Sequence, residues 1–197
     1  MAKGFPRVAA YLAGLPQGVL SYPKHEVKAS GYRDALARRP LATVEGLPEP
    51  LAQRVTSPVP PSAWIPEAHA MALALAIADD HRLSDAEFLA FVYEHNVELL
   101  GSKTYAYLMR ADGADAMLKH AHVRWKALHR GVELKVAGID EKSCSFDLSF
   151  PARLYGELLL QAYAQTFRAG LVLSGLEQTV VTLGAFGDTR AAFVARW

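Results

Sequence analysis

The hydrophobic pattern of the chain changes at Gly131, from the spacing of helices to the alternation of strands. The segments "VELKVAG" and "SCSFDLSF" follow, joined by "IDEK". The apolar residues of the second segment alternate with Ser and Asp, so they share one face of a half-buried strand. These residues are Cys144, Phe146, Leu148 and Phe150. A strand with one apolar face predicts an antiparallel sheet that is covered on that face.

The last fifty residues predict one long helix followed by two strands. The helix is expected over about 153–174, with Gly175 as its C-cap. The ending "TVVTLGAFGDTRAAFVARW" reads as two strands around a turn at Gly187 and Asp188. The order β-β-α-β-β therefore predicts a four-stranded antiparallel sheet packed against helices.

Helices are predicted between the N-terminal region and the sheet. An Ala/Leu-rich helix over 67–80 is apolar on too many sides for a surface helix. In "SDAEFLAFVYEHNVELLG", Ser84 and Glu87 form a capping box and Gly101 ends the helix. A short helix follows near 103–110, and "DGADAMLKHAHVRWKALHRG" predicts another.

The first sixty residues are rich in proline and glycine, as in "GLPQGVLSYP", "EGLPEP" and "SPVPPSAWIPE". They leave room for two short helices, near 28–39 and 48–54. A chain of 197 residues suggests one domain with an extension. We therefore predict an α+β fold in which residues 1–63 form an irregular N-terminal extension and residues 64–197 form the domain.

Composition excludes several classes of partner. The 21 basic and 20 acidic residues are interspersed, which leaves no clustered basic face for nucleic acid. The apolar run "AMALALAIA" is far shorter than the roughly 20 residues that cross a bilayer. A single cysteine, Cys144, excludes an internal disulfide framework and favours a reducing compartment. We expect a soluble cytoplasmic protein that binds neither nucleic acid nor membrane.

The stretch "LKHAHVRWKALHRG" concentrates histidines on one predicted helix. At roughly 100° per residue, His122 and His129 fall on one side, at the edge of the apolar stripe that holds Trp125, while His120 faces the polar side. One interpretation is that these rings pack at the rim of the core. The other is that His122 ligates a haem iron or another metal. No H-E-x-x-H spacing supports a metal site, and none is predicted.

Signatures of catalysis are missing from the sequence. It has no G-x-S-x-G elbow, no P-loop and no G-x-G-x-x-G. Cys144 alternates with phenylalanines and is expected to be a buried, unreactive thiol. No catalytic residue is predicted, and an enzyme is disfavoured.

The stretches "LLGSKTYAYLMRADGADAMLKHAHVRW" and "ARLYGELLLQAYAQTFRAGLVLSGLEQTVVTLGAFGDTRAAFVARW" resemble a group of uncharacterised bacterial domains. More distantly, the layout is similar to haem-based nitric oxide sensor (H-NOX) domains and to vinyl-reductase-type small-molecule-binding domains. The first family carries a proximal His before the sheet and then Tyr-x-Ser-x-Arg. His122 and Arg153 match two of these positions, but Ser149 and Pro151 replace the Tyr and Ser. The resemblance implies a pocket. Because the Tyr and Ser are replaced, no bound haem is expected, and haem ligated by His122 is the alternative.

The leading hypothesis is a non-enzymatic small-molecule-binding or sensor-like domain, with a hydrophobic pocket between helices and sheet. The ligand would be a hydrophobic small molecule. The alternative is a protein-interaction module, for dimerisation or partner docking, anchored by the aromatic of "AWIP". A tailoring or cyclising enzyme and a haem-based gas sensor rank below both. The same aromatics could also simply fill the core. The predicted lining residues are Trp64, Phe91, Tyr105, His122, Trp125, Phe146, Arg153, Tyr155, Tyr163 and Phe167.

Overall fold

The computed structural model describes residues 4–109 and 118–197. The chain divides into two compact units, with the boundary between Phe88 and Leu89. The first unit is mostly helical. Its elements are α1 (Pro6–Gly14), a 3₁₀ turn (Gly18–Leu20), β1 (Glu26–Lys28), α2 (Ser30–Arg38), α3 (Glu49–Thr56), β2 (Trp64–Pro66) and α4 (Glu67–Asp80).

Helix α4 is the centre of the first unit, as its apolar composition predicts. Most of its residues are buried, and α1, α2 and α3 pack against it. The Asp79 carboxylate near its end accepts backbone N–H groups of Arg7 at 2.9 Å and Val8 at 3.3 Å. Those donors belong to the first turn of α1, where N–H groups have no partner within the helix. Asp79 therefore fixes the start of α1 against α4.

Sequence reasoning missed α1, β1 and β2, and it took the N-terminal region as irregular apart from two short helices. Those two helices are present as α2 and α3. Helix α1 has Pro6 at its start, but it lacks the side-chain cap that usually marks the beginning of a helix in a sequence. Strands β1 and β2 have three residues each, too few to display alternation, and pair in antiparallel fashion with Lys28 opposite Trp64. The predicted domain boundary before Trp64 stays a prediction. Strands β1 and β2 lie on either side of it and pair with each other.

Helix α5 (Asp85–Gly101) crosses the boundary between the units and begins with the predicted capping box. The Ser84 backbone N–H donates to a Glu87 carboxylate oxygen at 2.8 Å, and the Glu87 N–H donates to Ser84 Oγ at 3.3 Å. These two bonds satisfy donors that the first turn leaves unpaired. The remaining elements are α6 (Ala106–Met109), α7 (Ala121–Leu128), β3 (His129–Arg130), β4 (Glu133–Asp140), β5 (Ser143–Ser149), α8 (Glu157–Leu173), β6 (Val180–Phe186) and β7 (Arg190–Arg196).

The second unit contains the predicted four-stranded antiparallel sheet, in the order β4-β5-β7-β6. Its two central strands pair with Phe146 opposite Phe193 and Leu148 opposite Ala191. Alternate residues of β5 are buried, as the sequence predicted. Helix α8 packs on β6 and β7, and α7 packs on β4. The α+β class and the order β-β-α-β-β are confirmed.

The long helix begins later than predicted. Helix α8 starts at Glu157, after Gly156 in an extended conformation, whereas the sequence placed its start at Arg153. Arg153 has a φ of +62°, and its N–H donates to the Asp188 carbonyl at 2.8 Å. A left-handed residue cannot continue a helix. The end is as predicted, because Gly175 adopts a φ of +98°.

The histidine-rich helix is interrupted at His120. Leu118 and Lys119 are helical, His120 has non-helical dihedral angles, and helix α7 begins at Ala121. The predicted helical residues 112–117, and Arg110 at the end of the preceding short helix, lie outside the described residues. Within 4–109 and 118–197, no helix has the length and apolarity needed to cross a membrane.

Gly175→Ala is expected to lower the free energy of unfolding by about 1 kcal/mol. A Cβ atom disfavours the positive φ that ends α8. Urea denaturation followed by circular dichroism measures the change. The control is Gly187→Ala, in the β6–β7 turn, where an added Cβ meets no atom within 4 Å. Equal stability of the two variants would contradict the assigned role of Gly175.

Candidate ligand-binding groove

Five of the predicted site residues lie together between α8 and the sheet. The ring centroids of Trp125 and Tyr163 are 5.7 Å apart, and those of Trp125 and Phe167 are 5.9 Å apart. Phe167 stacks on Phe146 at 5.5 Å, and Tyr163 meets Tyr155 edge-on at 4.9 Å. Each ring contacts at least one other ring of the set. They form a continuous aromatic core in the second unit.

Trp125 joins this core to the sheet through a hydrogen bond and a stack. Its indole Nε1–H donates to the Val132 carbonyl at 2.8 Å. On one face it stacks on His129, with centroids 3.7 Å apart and the planes 5° from parallel. His129 is 8% exposed. This contact agrees with the packing interpretation for that histidine.

The remaining predicted residues lie apart from the aromatic core. Trp64 belongs to the first unit, where the Lys28 ammonium lies 4.0 Å from the ring centroid. Phe91 stacks on His95 at 5.9 Å. Tyr105 packs with Leu100, Leu108 and Met109. The role of these residues in binding stays a prediction.

His122 occupies a different environment, an open groove of about 550 Å³ beside strand β4. Its side chain is exposed, and it is the one predicted site residue in the groove lining. One wall comes from the residues that lead into α7, and the other from β4. The lining residues are Leu118, Lys119, His122, Leu134, Lys135, Val136, Ala137, Gly138 and Ile139.

A β-bulge in β4 shapes the wall of the groove. The pairing with β5 shifts between Val136 and Gly138, so Ala137 has no opposite residue and is exposed. A Cβ on Gly138 would come within 3.3 Å of Ser145 Oγ, closer than most real contacts. Bulges bend an edge strand and redirect its side chains. Sequence reasoning missed this wall, although the alternation of "VELKVAGID" fails at the same place.

Cys144 lies on the covered face of the sheet, away from any reactive surface. It is 2% exposed, and burial raises the pKa of its thiol to about 12. A thiol with such a pKa is almost wholly protonated at neutral pH and is a poor nucleophile. The prediction of a buried cysteine is confirmed, and its low reactivity stays a prediction.

The haem-sensor resemblance singles out His122 and Arg153. His122 lies in the groove, whereas Arg153 is not part of the groove lining. The Arg153 side chain is 66% exposed, with its Nε 3.7 Å from a carboxylate oxygen of Asp188. Ser149 and Pro151 stand where the family's Tyr and Ser would stand. Two positions of that motif therefore carry other residues, and the absence of haem stays a prediction.

No protein-family model matches the sequence. No curated protein matches it either. Solved H-NOX domains do match the structure. A Cs H-NOX mutant carrying 4-cyano-L-phenylalanine aligns with a TM-score of 0.59 and 8% identity, over 86% of this chain and 95% of that chain.

Two further H-NOX structures give similar values. An oxygen-binding H-NOX domain related to soluble guanylate cyclases, in its oxygen complex, has a TM-score of 0.57 at 6% identity and covers 85% of this chain and 90% of that one. An Fe(II) unliganded H-NOX mutant from K. algicida has a TM-score of 0.53 at 15% identity, with coverages of 86% and 95%. The chain therefore shares the fold of H-NOX domains, as the sequence resemblance implied. At these identities the likeness extends to the fold alone.

Trp125→Ala is expected to lower the free energy of unfolding by about 3–5 kcal/mol, because it removes a buried ring and leaves a cavity. Trp125→Phe keeps most of the ring and loses the donor to Val132, so a smaller loss of about 1–3 kcal/mol is expected. Urea denaturation measures both changes. Val123→Ala is the control, since that side chain is 55% exposed on the same helix. A Trp125→Ala loss no larger than the control's would contradict its place in the core.

Proposed function

We propose that this protein is a small-molecule-binding, sensor-like domain whose ligand occupies the groove between the start of α7 and strand β4. The observation that carries the proposal is the groove itself, about 550 Å³ in volume with a mainly aliphatic lining. Binding sites for small molecules usually have volumes of about 300–1,000 Å³ and few polar groups. The groove lies between a helix and the sheet, the region that the sequence favoured, but it uses β4 rather than the aromatic core.

The aromatic core supports this position for the ligand. Trp125 and Phe146 each contact the ring of Phe167, so these three side chains already pack against other residues without a ligand. Close-packed interiors leave few voids larger than a water molecule. A ligand held by the second unit would therefore bind beside the core, where β4 is the edge strand of the sheet.

Haem is a natural candidate because an oxygen-binding domain and an Fe(II) domain share this fold. The described residues do not fit it as the resemblance would require. Arg153 is exposed beside Asp188 and is not among the residues that line the groove with His122. Ser149 and Pro151 replace the two other motif residues. We therefore propose a ligand other than haem and assign no haem chemistry to these residues.

The interaction-module hypothesis depended on an exposed tryptophan in "AWIP". Trp64 is half-buried, and Lys28 lies over its ring while its ammonium also donates to the Ser62 carbonyl at 2.8 Å. A covered ring is a weaker anchor for a partner. Dimerisation or partner docking stays a prediction that ranks below ligand binding.

Ala137→Trp is expected to abolish binding of the neutral dye Nile red, because the indole fills the groove from an exposed position on its wall. Fluorescence titration measures the affinity. The matched control is Ala185→Trp, exposed on the opposite edge strand β6, which should bind the dye like the unmodified protein. Equal dye binding by both variants would contradict the groove as the site, and no dye binding by the unmodified protein would contradict the proposed function.

Protein expressed with haem supplied is expected to show no Soret absorption, because Ser149 and Pro151 replace the Tyr and Ser of the haem-sensor motif. The absorption spectrum of the purified protein is the measurement. A Soret band that disappears in His122→Ala and persists in His120→Ala would overturn this expectation. His120 is the control because it is an exposed histidine two residues away.

A further inference from the structure

We propose that the ligand of the groove is a short extended peptide that adds to the open edge of β4 as one further antiparallel strand. The proposal rests on the proposed function, because it assigns a chemical class to the ligand of the same groove. It depends on the direction in which the backbone groups of β4 point. That direction follows from the hydrogen bonds of the neighbouring strand β5.

The backbone groups of β5 alternate between its two neighbours, β4 and β7. The Phe150 N–H donates to the Thr189 carbonyl, and the Trp197 N–H donates to the Lys142 carbonyl. These two bonds continue the register of β5 and β7 beyond its two ends. The even-numbered residues of β5 therefore direct their backbone groups to β7, and the odd-numbered residues direct theirs to β4. The even-numbered residues are Cys144, Phe146 and Leu148.

Two accessible residues of β4 consequently direct their N–H and C=O groups away from the sheet. In an antiparallel pair, directly opposite residues either bond to each other or both point away. Val136 lies opposite Phe146, and Ile139 lies opposite Cys144. Among the described residues, the backbone groups of Val136 and Ile139 have no hydrogen-bond partner outside the sheet. Both residues line the groove, so its wall offers unpaired donors and acceptors.

The β-bulge leaves this open edge regular. Val136 and Ile139 are three residues apart on β4, but their partners on β5 are only two residues apart. The outward groups are therefore about 7 Å apart, which is the spacing of alternate residues in a regular strand. An extended peptide presents its own N–H and C=O groups at that spacing, and peptides bind open sheet edges in this way. A purely aliphatic ligand would leave these groups unpaired.

The side chains of the groove select an apolar face of the peptide. Val136 is half-buried and Ile139 is 41% exposed, so a ligand can reach both. Leu118 and Leu134 are buried and line the same groove. Residues that pair across an antiparallel ladder place their side chains on the same face of the sheet. The peptide residues that pair with β4 therefore need apolar side chains, and the residues between them can be polar.

The second wall of the groove favours a short free peptide over the edge of another protein's sheet. Strand β4 forms one wall, and the start of α7 forms the other. A sheet would have to continue past that wall, whereas a single strand lies between the two walls. The opening beside β4 faces residues 144–148 of β5, about 14 Å of strand, which corresponds to about five residues of peptide.

The discriminating ligands are acetyl-Thr-Val-Thr-Val-Thr-amide and an analogue in which ester oxygens replace the N–H groups of both valines. NMR titration of the full chain is expected to show roughly 10–30-fold weaker binding of the analogue, because two donors to β4 are lost. The control analogue carries the same replacement at the second and third threonines, whose N–H groups point away from β4, and should bind like the unmodified peptide. The amide signals of Val136 and Ile139 should shift on binding.

The outcomes separate this inference from the proposed function. Equal affinity for the peptide and its valine ester, lost for both in Ala137→Trp, would overturn the strand pairing and leave the groove as the site. A peptide that neither binds nor displaces bound Nile red would overturn the inference alone, and absence of binding by both dye and peptide would overturn both proposals. Peptide binding that is lost in Ala185→Trp and kept in Ala137→Trp would place the strand on β6, the other edge, and overturn the inference.

Discussion

The structure of the second unit depends on the burial of one face of the four-stranded sheet under aromatic side chains of α7 and α8. Phe193 and Leu148, on the central strands, are fully buried. Phe167 from α8 meets Phe193 edge-on at 5.1 Å and stacks on Phe146. Aromatic pairs in such geometries add about 0.5–1.5 kcal/mol each beyond the burial of their area. This packing fixes the sheet's register, since a shift by one residue would expose the whole apolar face.

The same packing accounts for the place where α7 ends. Trp125 has a hydrogen-bond donor that must find an acceptor when the ring is buried. It finds the Val132 carbonyl, just before β4 begins, while His129 stacks on its face. The helix therefore ends at Leu128, and the chain turns directly into the sheet. The position of β4 beside α7, and with it the groove, follows from this anchor.

Periodicity and caps predicted most of the second unit and the central helix of the first. The alternation in β5, the capping box of Ser84 and Glu87 and the stop at Gly175 are local signals, and each appears where the sequence placed it. The start of α8 was misplaced because a left-handed Arg153 is held by a contact with the distant Asp188, which no local pattern encodes. Helix α1 was missed for a similar reason. Its first turn is completed by Asp79, more than seventy residues away.

The candidate site was the least predictable part of the structure. The spacing of apolar side chains indicates which residues are buried, but it does not indicate which surface stays open to a ligand. Aromatic residues at helical and strand spacing were predicted as a lining, and five of them do lie together. They contact one another, however, so the proposed site depends on aliphatic residues of an edge strand that the pattern did not single out.

A bulged edge strand has an open side that its sheet does not cover, and proteins usually protect such edges with charge, bulges or a covering element. Here β4 has all three, with Lys135, the shift near Ala137 and the adjacent α7. The same strand contributes Leu134, Val136 and Ile139 to the lining of the groove. Protection of the edge and the proposed ligand groove thus depend on the same strand, so a site of this kind can form at the edge of the sheet without any change in the core.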